Sequence, residues 1–111
     1  MYIKKIPQDL DCGSVVTMKA IGGKWKACIL DCIHKGIKRP GELHRNILSA
    51  SPRVINMQLN ELETDGILYK EIYPGLPLKV EYNLTALGTS LLPIIQAIDQ
   101  WGIEQIAARE A

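Results

Sequence analysis

The feature that most constrains this chain is a strong helix start followed directly by a two-stranded hairpin. Ser51-Pro52 supplies an N-cap and a first helical position without an N–H. Asp65-Gly66 ends the helix, since glycine suits the position after a helix C-terminus. Two strand-like runs follow, Leu68 to Tyr73 and Leu78 to Leu84, joined by Pro74-Gly75-Leu76-Pro77. Any fold for this chain must therefore place a helix immediately before a β-hairpin.

Three further helices are predicted upstream, at about residues 12–21, 24–34 and 41–48, with a short strand at Ile37 to Arg39. The second helix carries an apolar stripe made of Trp25, Cys28, Ile29, Cys32 and Ile33. Free cysteine is among the most buried residue types, so the stripe favours Cys28 and Cys32 as core residues over metal ligands. Lys24 and Lys26 are expected to point away from the stripe.

The last helix is predicted to begin after Thr85 and to reach about Ala107, with more apolar surface than one small core uses. Leu87, Leu91, Ile94, Ile98 and Trp101 follow a 4-3-4-3 spacing, and Leu92, Ile95 and Ile106 add a second stripe. A helix that is apolar on two sides predicts a partner subunit. We therefore expect a homodimer whose interface includes Leu91, Ile94, Ile95, Ile98 and Trp101.

Length and composition are those of one compact domain. The 111 residues, of which 47% are hydrophobic, divide into an N-terminal arm at 1–11 and a domain at 12–110. No apolar run approaches the roughly 20 residues that span a bilayer, and no signal peptide is evident, so we expect a cytoplasmic protein without membrane contact. The net charge is +6 over residues 1–60 and −5 over residues 61–111. The basic half is the part suited to meet phosphate.

The chemistry-bearing residues do not form a pattern expected of an enzyme. The three cysteines, Cys12, Cys28 and Cys32, are an odd number without a CxxC spacing, which argues against a disulfide framework and gives a metal site little support. No glycine-rich phosphate loop is present. A small thiol enzyme built on Cys12 is disfavoured because no base lies near it in sequence. We therefore expect no catalysis, no metal and no cofactor.

The helix from Gly41 and the helix from Ser51, joined by a short turn, predict a helix-turn-helix. The second helix presents Arg53, Asn56, Met57 and Asn60 on its outward face at i, i+3, i+4 and i+7. Asparagine pairs with adenine, methionine can contact thymine methyls, and arginine reads guanine or clamps phosphate. Ser51 and the first-turn N–H groups suit a phosphate oxygen. Further phosphate candidates are Lys38, Arg39, and Lys70 and Lys79, which are expected to flank the hairpin turn.

These elements predict a mainly α fold with a small β-hairpin, a winged helix-turn-helix, binding double-stranded DNA. The alternative is a winged helix that binds protein without specific DNA contact. An interaction surface would favour aromatic residues over asparagine and arginine on the outward face. The residue types on that face therefore favour DNA.

Cys12 and six further blocks of the chain, in order, resemble the HxlR-type transcriptional regulators, which are related to the MarR group. The matching residues are Cys12, Ile21-Gly22-Gly23-Lys24-Trp25, Gly41-Glu42-Leu43, Leu59 to Gly66, Val80 to Thr85, Gly88 to Pro93 and Trp101-Gly102. The resemblance implies a dimeric winged-helix regulator, here expected to be a repressor, on a pseudo-palindromic operator. It also implies dimerisation through the first and last helices. The chain departs from the family at Pro40, where an aromatic residue is common.

Cys12 matches a cysteine with which some HxlR-type proteins sense oxidants or electrophiles. It precedes a predicted helix, and a helix N-terminus favours the thiolate, whereas Asp9 and Asp11 oppose it. The alternative is a small residue packed near the dimer interface. The oxidant or small-molecule effector is not specified by the sequence.

Overall fold

The computed structural model describes residues 12–110, which form six α-helices and one two-stranded antiparallel sheet. The elements are α1 (Gly13–Ile21), α2 (Lys26–His34), α3 (Pro40–Asn46), α4 (Pro52–Thr64), β1 (Leu68–Tyr73), β2 (Lys79–Leu84), α5 (Ala86–Ser90) and α6 (Leu92–Glu110). This order confirms a mainly α fold with a small β-hairpin, hereafter the wing. The predicted arm at residues 1–11 lies outside the described residues. Within these residues, no helix is both long and apolar enough to cross a membrane.

The core lies between α2, α4 and the base of the wing. Ile29, Leu30, Ile55 and Leu62 are fully buried there, and Leu43 of α3 joins them. Each such side chain contributes about 1.5–3 kcal/mol relative to an exposed position. The apolar face predicted for the Ser51 helix is therefore confirmed as the buried one, which turns its opposite face outward.

Local hydrogen bonds set the limits of the helix-turn-helix. The Ser51 hydroxyl accepts a hydrogen bond from the backbone N–H of Val54 at 3.2 Å, as an N-cap should. At the other end of α4, Gly66 has a φ of +75°, a conformation that glycine adopts without steric cost. The start of α3 is fixed by Pro40 and by the Arg39 N–H, which donates to Glu42 at 3.4 Å. Both predicted helix starts are confirmed to within a residue.

The wing has a regular register, from Leu68 opposite Leu84 to Tyr73 opposite Lys79. Tyr82 is buried, so its face packs on the core, as the alternation of β2 predicted. The strand predicted at Ile37 to Arg39 is wrong: the backbone carbonyl of Lys38 only accepts one hydrogen bond from the Tyr82 N–H, at 2.9 Å. Because Arg39 already caps α3, too few residues remain after α2 to extend the sheet.

The single helix predicted from Thr85 to about Ala107 is also wrong. Thr85 does cap a helix, accepting from the Gly88 N–H at 3.0 Å, but α5 ends at Ser90 and α6 runs from Leu92 to Glu110. Pro93 has no N–H to donate to the carbonyl of Thr89, four residues before it. The interruption between the two helices therefore falls at Leu91, whose N–H bonds instead to Gly88 at 3.1 Å.

The buried face of α2 is rotated from the predicted stripe. Ile29, Leu30 and Ile33 fill it, while Cys28 is exposed and Cys32 is only partly buried. The prediction that both cysteines belong to the core is therefore wrong for Cys28. The prediction that Lys26 points away from the stripe is wrong as well, because Lys26 is only 6% exposed.

The molecule is more extended than a chain of this size needs to be. Its radius of gyration is 16.1 Å, against about 13 Å for a compact domain of this length. The two terminal helices bury few side chains. In α1 only Ile21 is buried, and in the long α6 only Leu92 and Ile95 are buried. Both terminal helices therefore expose surface that the core of this chain does not cover.

Candidate nucleic-acid interface

The outward face of α4 forms one side of an open groove. All four side chains predicted there, Arg53, Asn56, Met57 and Asn60, are exposed and line the groove together with Lys26, Glu61, Thr64 and Asp65. The structure thus brings the four predicted base-reading candidates to one continuous surface. No core residue blocks them, since the buried side of the helix is turned to α2 and the wing.

Charge is unevenly distributed along this groove. Arg53 lies in the first turn of α4, whereas Glu61 and Asp65 lie at its C-terminal end. The ammonium group of Lys26 is 2.9 Å from a carboxylate oxygen of Glu61, which offsets one of these negative charges. The N-terminal half of α4 is therefore the half that can approach a phosphate backbone, and the partial positive charge of the helix terminus adds to it.

Two contacts tie α4 to the start of α2. Besides the Lys26–Glu61 pair, the backbone N–H of Trp25 donates to the side-chain oxygen of Gln58 at 3.0 Å. Gln58 is buried, at 7% exposure, and this hydrogen bond is partly shielded from water. Helix α4 is thus fixed in position by polar contacts as well as by its apolar face. No local sequence pattern predicts either contact.

Sequence reasoning also missed His44. Its Nε2 atom lies 3.0 Å from Oδ1 of Asn56, which connects α3 to the outward face of α4. The two residues are separated by the turn of the helix-turn-helix, and only the packing angle of the two helices brings them together. Ser51 is likewise engaged as an acceptor by Val54, but its hydroxyl hydrogen stays available to a phosphate oxygen.

The other predicted phosphate contacts are less favourably placed. Arg39 lies 3.4 Å from the Glu81 carboxylate, and Lys70 lies 3.8 Å from that of Glu63 and 5.9 Å from the centre of the Tyr82 ring. The prediction that Lys70 flanks the turn of the wing is wrong, because the register places it opposite Tyr82, near the middle of β1.

Lys79 is the predicted wing residue that does flank the turn, opposite Tyr73. Lys38 is partly buried at the base of the sheet, near Tyr69 and Asn83, away from the groove of α4. Of the basic side chains predicted outside α4, Lys79 is therefore the one best placed for a phosphate.

The outer face of the wing carries negative charge. Glu71 lies directly opposite Glu81, and the Asn83 amide donates to Glu71 at 3.0 Å. Desolvation, together with these two carboxylates, raises the pKa of Tyr73 above its usual value. A phosphate backbone would be repelled from this face, so a wing contact to DNA would involve the turn and Lys79 rather than the middle of the strands.

The cysteines have contrasting environments. Cys12 is exposed at the N-cap of α1. Partial burial raises the pKa of Cys28, and it raises that of Cys32 to about 11, with the neighbouring Cys28 adding to the effect. Cys28 and Cys32 are therefore protonated at neutral pH and are weak nucleophiles.

The predicted dimerisation residues separate into two groups. Leu91 and Ile95 are 9% and 1% exposed and belong to the core of this chain, so their predicted place in an interface is wrong. Ile94, Ile98 and Trp101 are 41%, 46% and 66% exposed. With Pro93 and Ala97 they form an almost wholly apolar surface, hereafter the Ile98 surface. These three are the predicted dimerisation residues that remain accessible on the surface of this chain.

Comparisons with known proteins agree with this architecture. The family described as HxlR-like helix-turn-helix matches residues 20–110. An HTH-type transcriptional regulator of Bacillus subtilis, YkvN, itself uncharacterized, is 44% identical over 91 residues, which are 82% of this chain and 77% of the relative.

Two solved structures are similar as well. The redox regulator HypR in its oxidized form has a TM-score of 0.79 and 41% identity, covering 84% of this chain and 96% of that one. The reduced form of the transcriptional regulator YodB from B. subtilis has a TM-score of 0.69 and 30% identity, covering 81% of this chain and 89% of that one.

Proposed function

The chain belongs to the HxlR-like helix-turn-helix family and is a transcriptional regulator, and from that premise we propose that it binds a specific DNA operator as a homodimer. The observation that carries this proposal is the outward face of α4, where Arg53, Asn56, Met57 and Asn60 are exposed side by side. An α-helix fits the major groove, and these residue types complement base edges and phosphates there. In the proposed complex, α4 enters the major groove of the DNA with its N-terminal end toward the bases.

The homodimer is supported by surface that the chain leaves uncovered. The Ile98 surface is apolar, and α1 exposes Val16 and Met18. A pair of chains joined through α1 and α6 would bury both. Since a two-fold dimer presents two recognition helices related by symmetry, the operator is expected to be pseudo-palindromic. We propose repression as the outcome, because a dimer seated on an operator excludes other proteins from that DNA.

Cys12 is the proposed redox-sensing residue. It is exposed at the N-cap of α1, where an oxidant or electrophile can reach it. The structural likeness to HypR, named a redox regulator, supports the same idea. Because α1 is also a proposed dimer element, modification of Cys12 would change how the two recognition helices are spaced. The effector is then an oxidant or an electrophile.

The remaining parts of the proposal follow from this function. The protein acts on chromosomal DNA, so we place it in the cytoplasm, without catalytic activity and without a bound cofactor. The competing proposal is a winged helix that binds another protein through the same face of α4. That face carries arginine and two asparagines and no aromatic side chain, and core positions of protein interfaces are enriched in aromatic residues. DNA is therefore the better-supported partner.

The test is fluorescence anisotropy with a labelled fragment of the DNA upstream of the gene that encodes this protein, at several salt concentrations. A specific regulator should bind this fragment roughly a thousandfold more tightly than random DNA. Its affinity should also fall steeply with salt, because phosphate contacts release counterions. Equal, weak binding to the upstream fragment, to a genomic fragment library and to random DNA would contradict sequence-specific binding and favour the protein-binding alternative.

A further inference from the structure

Cys28 and Cys32 form an accessible pair of thiols on one face of α2. They are one helical turn apart, Cys28 is exposed, and Cys32 is partly buried. Residues four apart on a helix are neighbours on its surface, so the two side chains lie on the same face of α2. The two sulfur atoms therefore already share one side of the helix and lie within reach of each other. Neither atom has a role in the proposed DNA contact.

The helix geometry makes a disulfide between them unfavourable. Side chains at i and i+4 of a helix have Cβ atoms about 5–6 Å apart. A disulfide requires a Cβ–Cβ distance of about 3.5–4.5 Å, so oxidation of the pair would unwind α2. An ion held between the sulfurs removes this conflict, since two metal–sulfur bonds of about 2.3 Å each span a wider gap.

The number of ligands selects the kind of ion. Among residues 12–110, no group of three or more His, Cys, Asp or Glu side chains is placed to hold a metal. Zinc sites normally have three or four protein ligands in a tetrahedral arrangement. Cu(I) prefers soft sulfur ligands and is satisfied by two thiolates in a near-linear arrangement. The pair therefore matches a soft monovalent ion better than it matches zinc.

The charged groups around the pair are compatible with a cation. The carboxylates of Asp31 and Asp99 lie close enough to act on the Cys28 thiol, and Lys35 acts in the opposite sense. Its ammonium group is 2.8 Å from a carboxylate oxygen of Asp31, which reduces its repulsion of an incoming cation. Both carboxylates would attract a cation to this face of α2.

We propose that Cys28 and Cys32 bind one Cu(I) ion per chain as a two-thiolate site. Two thiols and one Cu(I) give one bis-thiolate complex of net charge −1, and two protons pass to solvent, with no change in oxidation state. The site lies on the helix whose first residues contact α4 through Trp25–Gln58 and Lys26–Glu61. Neither Cys28 nor Cys32 lines the groove of α4, so the site does not depend on the proposed function.

The experiment is an oxygen-free titration of the fully reduced protein with Cu(I) in competition with bicinchoninate, a coloured Cu(I) chelator. The wild-type protein should withdraw one Cu(I) per chain, and X-ray absorption should show sulfur neighbours of the copper and no nitrogen or oxygen. Cys28→Ser and Cys32→Ser should each lower the affinity by more than about a hundredfold, since even loss of a group that only supports a ligand costs about 10–100-fold.

Cys12→Ser is the matched control and should still bind one Cu(I) per chain. The circular dichroism of all three variants should equal that of the wild type, because Cys12 and Cys28 are exposed and serine is nearly the same size as Cys32, which is only partly buried against the core. Copper that is lost from Cys12→Ser but kept by Cys28→Ser and Cys32→Ser would overturn the proposal and assign the metal to Cys12. Nitrogen or oxygen neighbours in the wild-type absorption spectrum would overturn it too.

Discussion

The Nε2 atom of His44 lies 3.0 Å from the side-chain oxygen Oδ1 of Asn56, so α3 orients a residue on the outward face of α4. Because Oδ1 can only accept, the imidazole must carry its hydrogen on Nε2. The amide NH₂ of Asn56 then points away from His44, toward the groove. Asn56 therefore presents hydrogen-bond donors to a base edge, which suits the N7 acceptor of a purine. His44 is a positioning residue for base reading in the proposed function.

Asn56→Ala should relax base preference at one position of each operator half-site, by about 1–3 kcal/mol. His44→Ala should weaken the preference at the same position by a smaller amount, because the amide remains but is free to rotate. Competition binding against operators substituted at each position measures both effects. His34→Ala, which removes the other histidine of the chain from the end of α2, is the control and should leave every position unchanged. Uniform weakening over all sequences would contradict base reading by Asn56.

Arg53→Ala should weaken operator binding and reduce its salt dependence. Arg53 is exposed in the first turn of α4, where a phosphate contact is expected. Each lost phosphate contact reduces the slope of log K against log salt by about 0.9, so a dimer that loses two should show a change of about 1.8. Anisotropy titrations at several salt concentrations measure the slope. Arg109→Ala, in the last turn of α6, should keep the wild-type slope, and an unchanged slope for Arg53→Ala would remove this arginine from phosphate binding.

The parts of the fold that the sequence predicted are those specified by neighbouring residues. Ser51-Pro52 and Gly66 set the limits of α4 through local backbone rules, and the structure confirms both. The exposure of Arg53, Asn56, Met57 and Asn60 followed from the period of the helix once its buried face was known. Such features need no knowledge of tertiary packing.

The features that the sequence missed depend on how distant segments pack. Cys28 satisfied the apolar spacing of α2, but α2 is rotated so that Leu30 is buried instead. Leu91 and Ile95 were predicted to lie in a dimer interface, but both are buried in the core of this chain, on either side of Pro93. The His44–Asn56 and Trp25–Gln58 contacts join helices whose relative angle no local pattern fixes. Each of these errors concerns which side of a helix packs against the rest of the protein.

Ile98→Glu should shift the protein from dimer to monomer. Ile98 is 46% exposed and belongs to the Ile98 surface. A carboxylate at this position should change the stability of a single chain little, but it should strongly destabilise a dimer in which the position is buried among apolar side chains. Sedimentation equilibrium should show a dissociation constant raised by at least a hundredfold, a loss of about 2.7 kcal/mol or more. Gln96→Glu introduces the same charge at an exposed position of α6 and should stay dimeric. A fully dimeric Ile98→Glu variant would place the interface elsewhere.

Diamide treatment should lower operator affinity through Cys12. Cys12 and Cys28 are both exposed, but desolvation raises the pKa of Cys28, so Cys12 is the cysteine expected to react first. Mass spectrometry follows modification while anisotropy follows binding to the same DNA, and reduction with dithiothreitol should restore the affinity. The Cys12→Ser variant should bind the operator with wild-type affinity, and diamide should not change that affinity. Unchanged affinity of the wild-type protein with Cys12 fully modified would contradict its role as a sensor.

Alkylation of Cys32 should show how strongly the fold suppresses its thiolate. Its pKa is raised to about 11, chiefly because partial burial disfavours the charged form. At pH 8 only about one Cys32 in a thousand is then a thiolate, and iodoacetamide reacts with the thiolate alone. The rate measured by mass spectrometry should rise about tenfold per pH unit and level off near pH 11, whereas in urea it should level off near the ordinary value of 9.0. Between these two values the unfolded chain has lost a proton that the native protein keeps, so stability should fall as the pH rises through this window. A native rate that levels off near pH 9 would mean that Cys32 is as hydrated as in the unfolded chain.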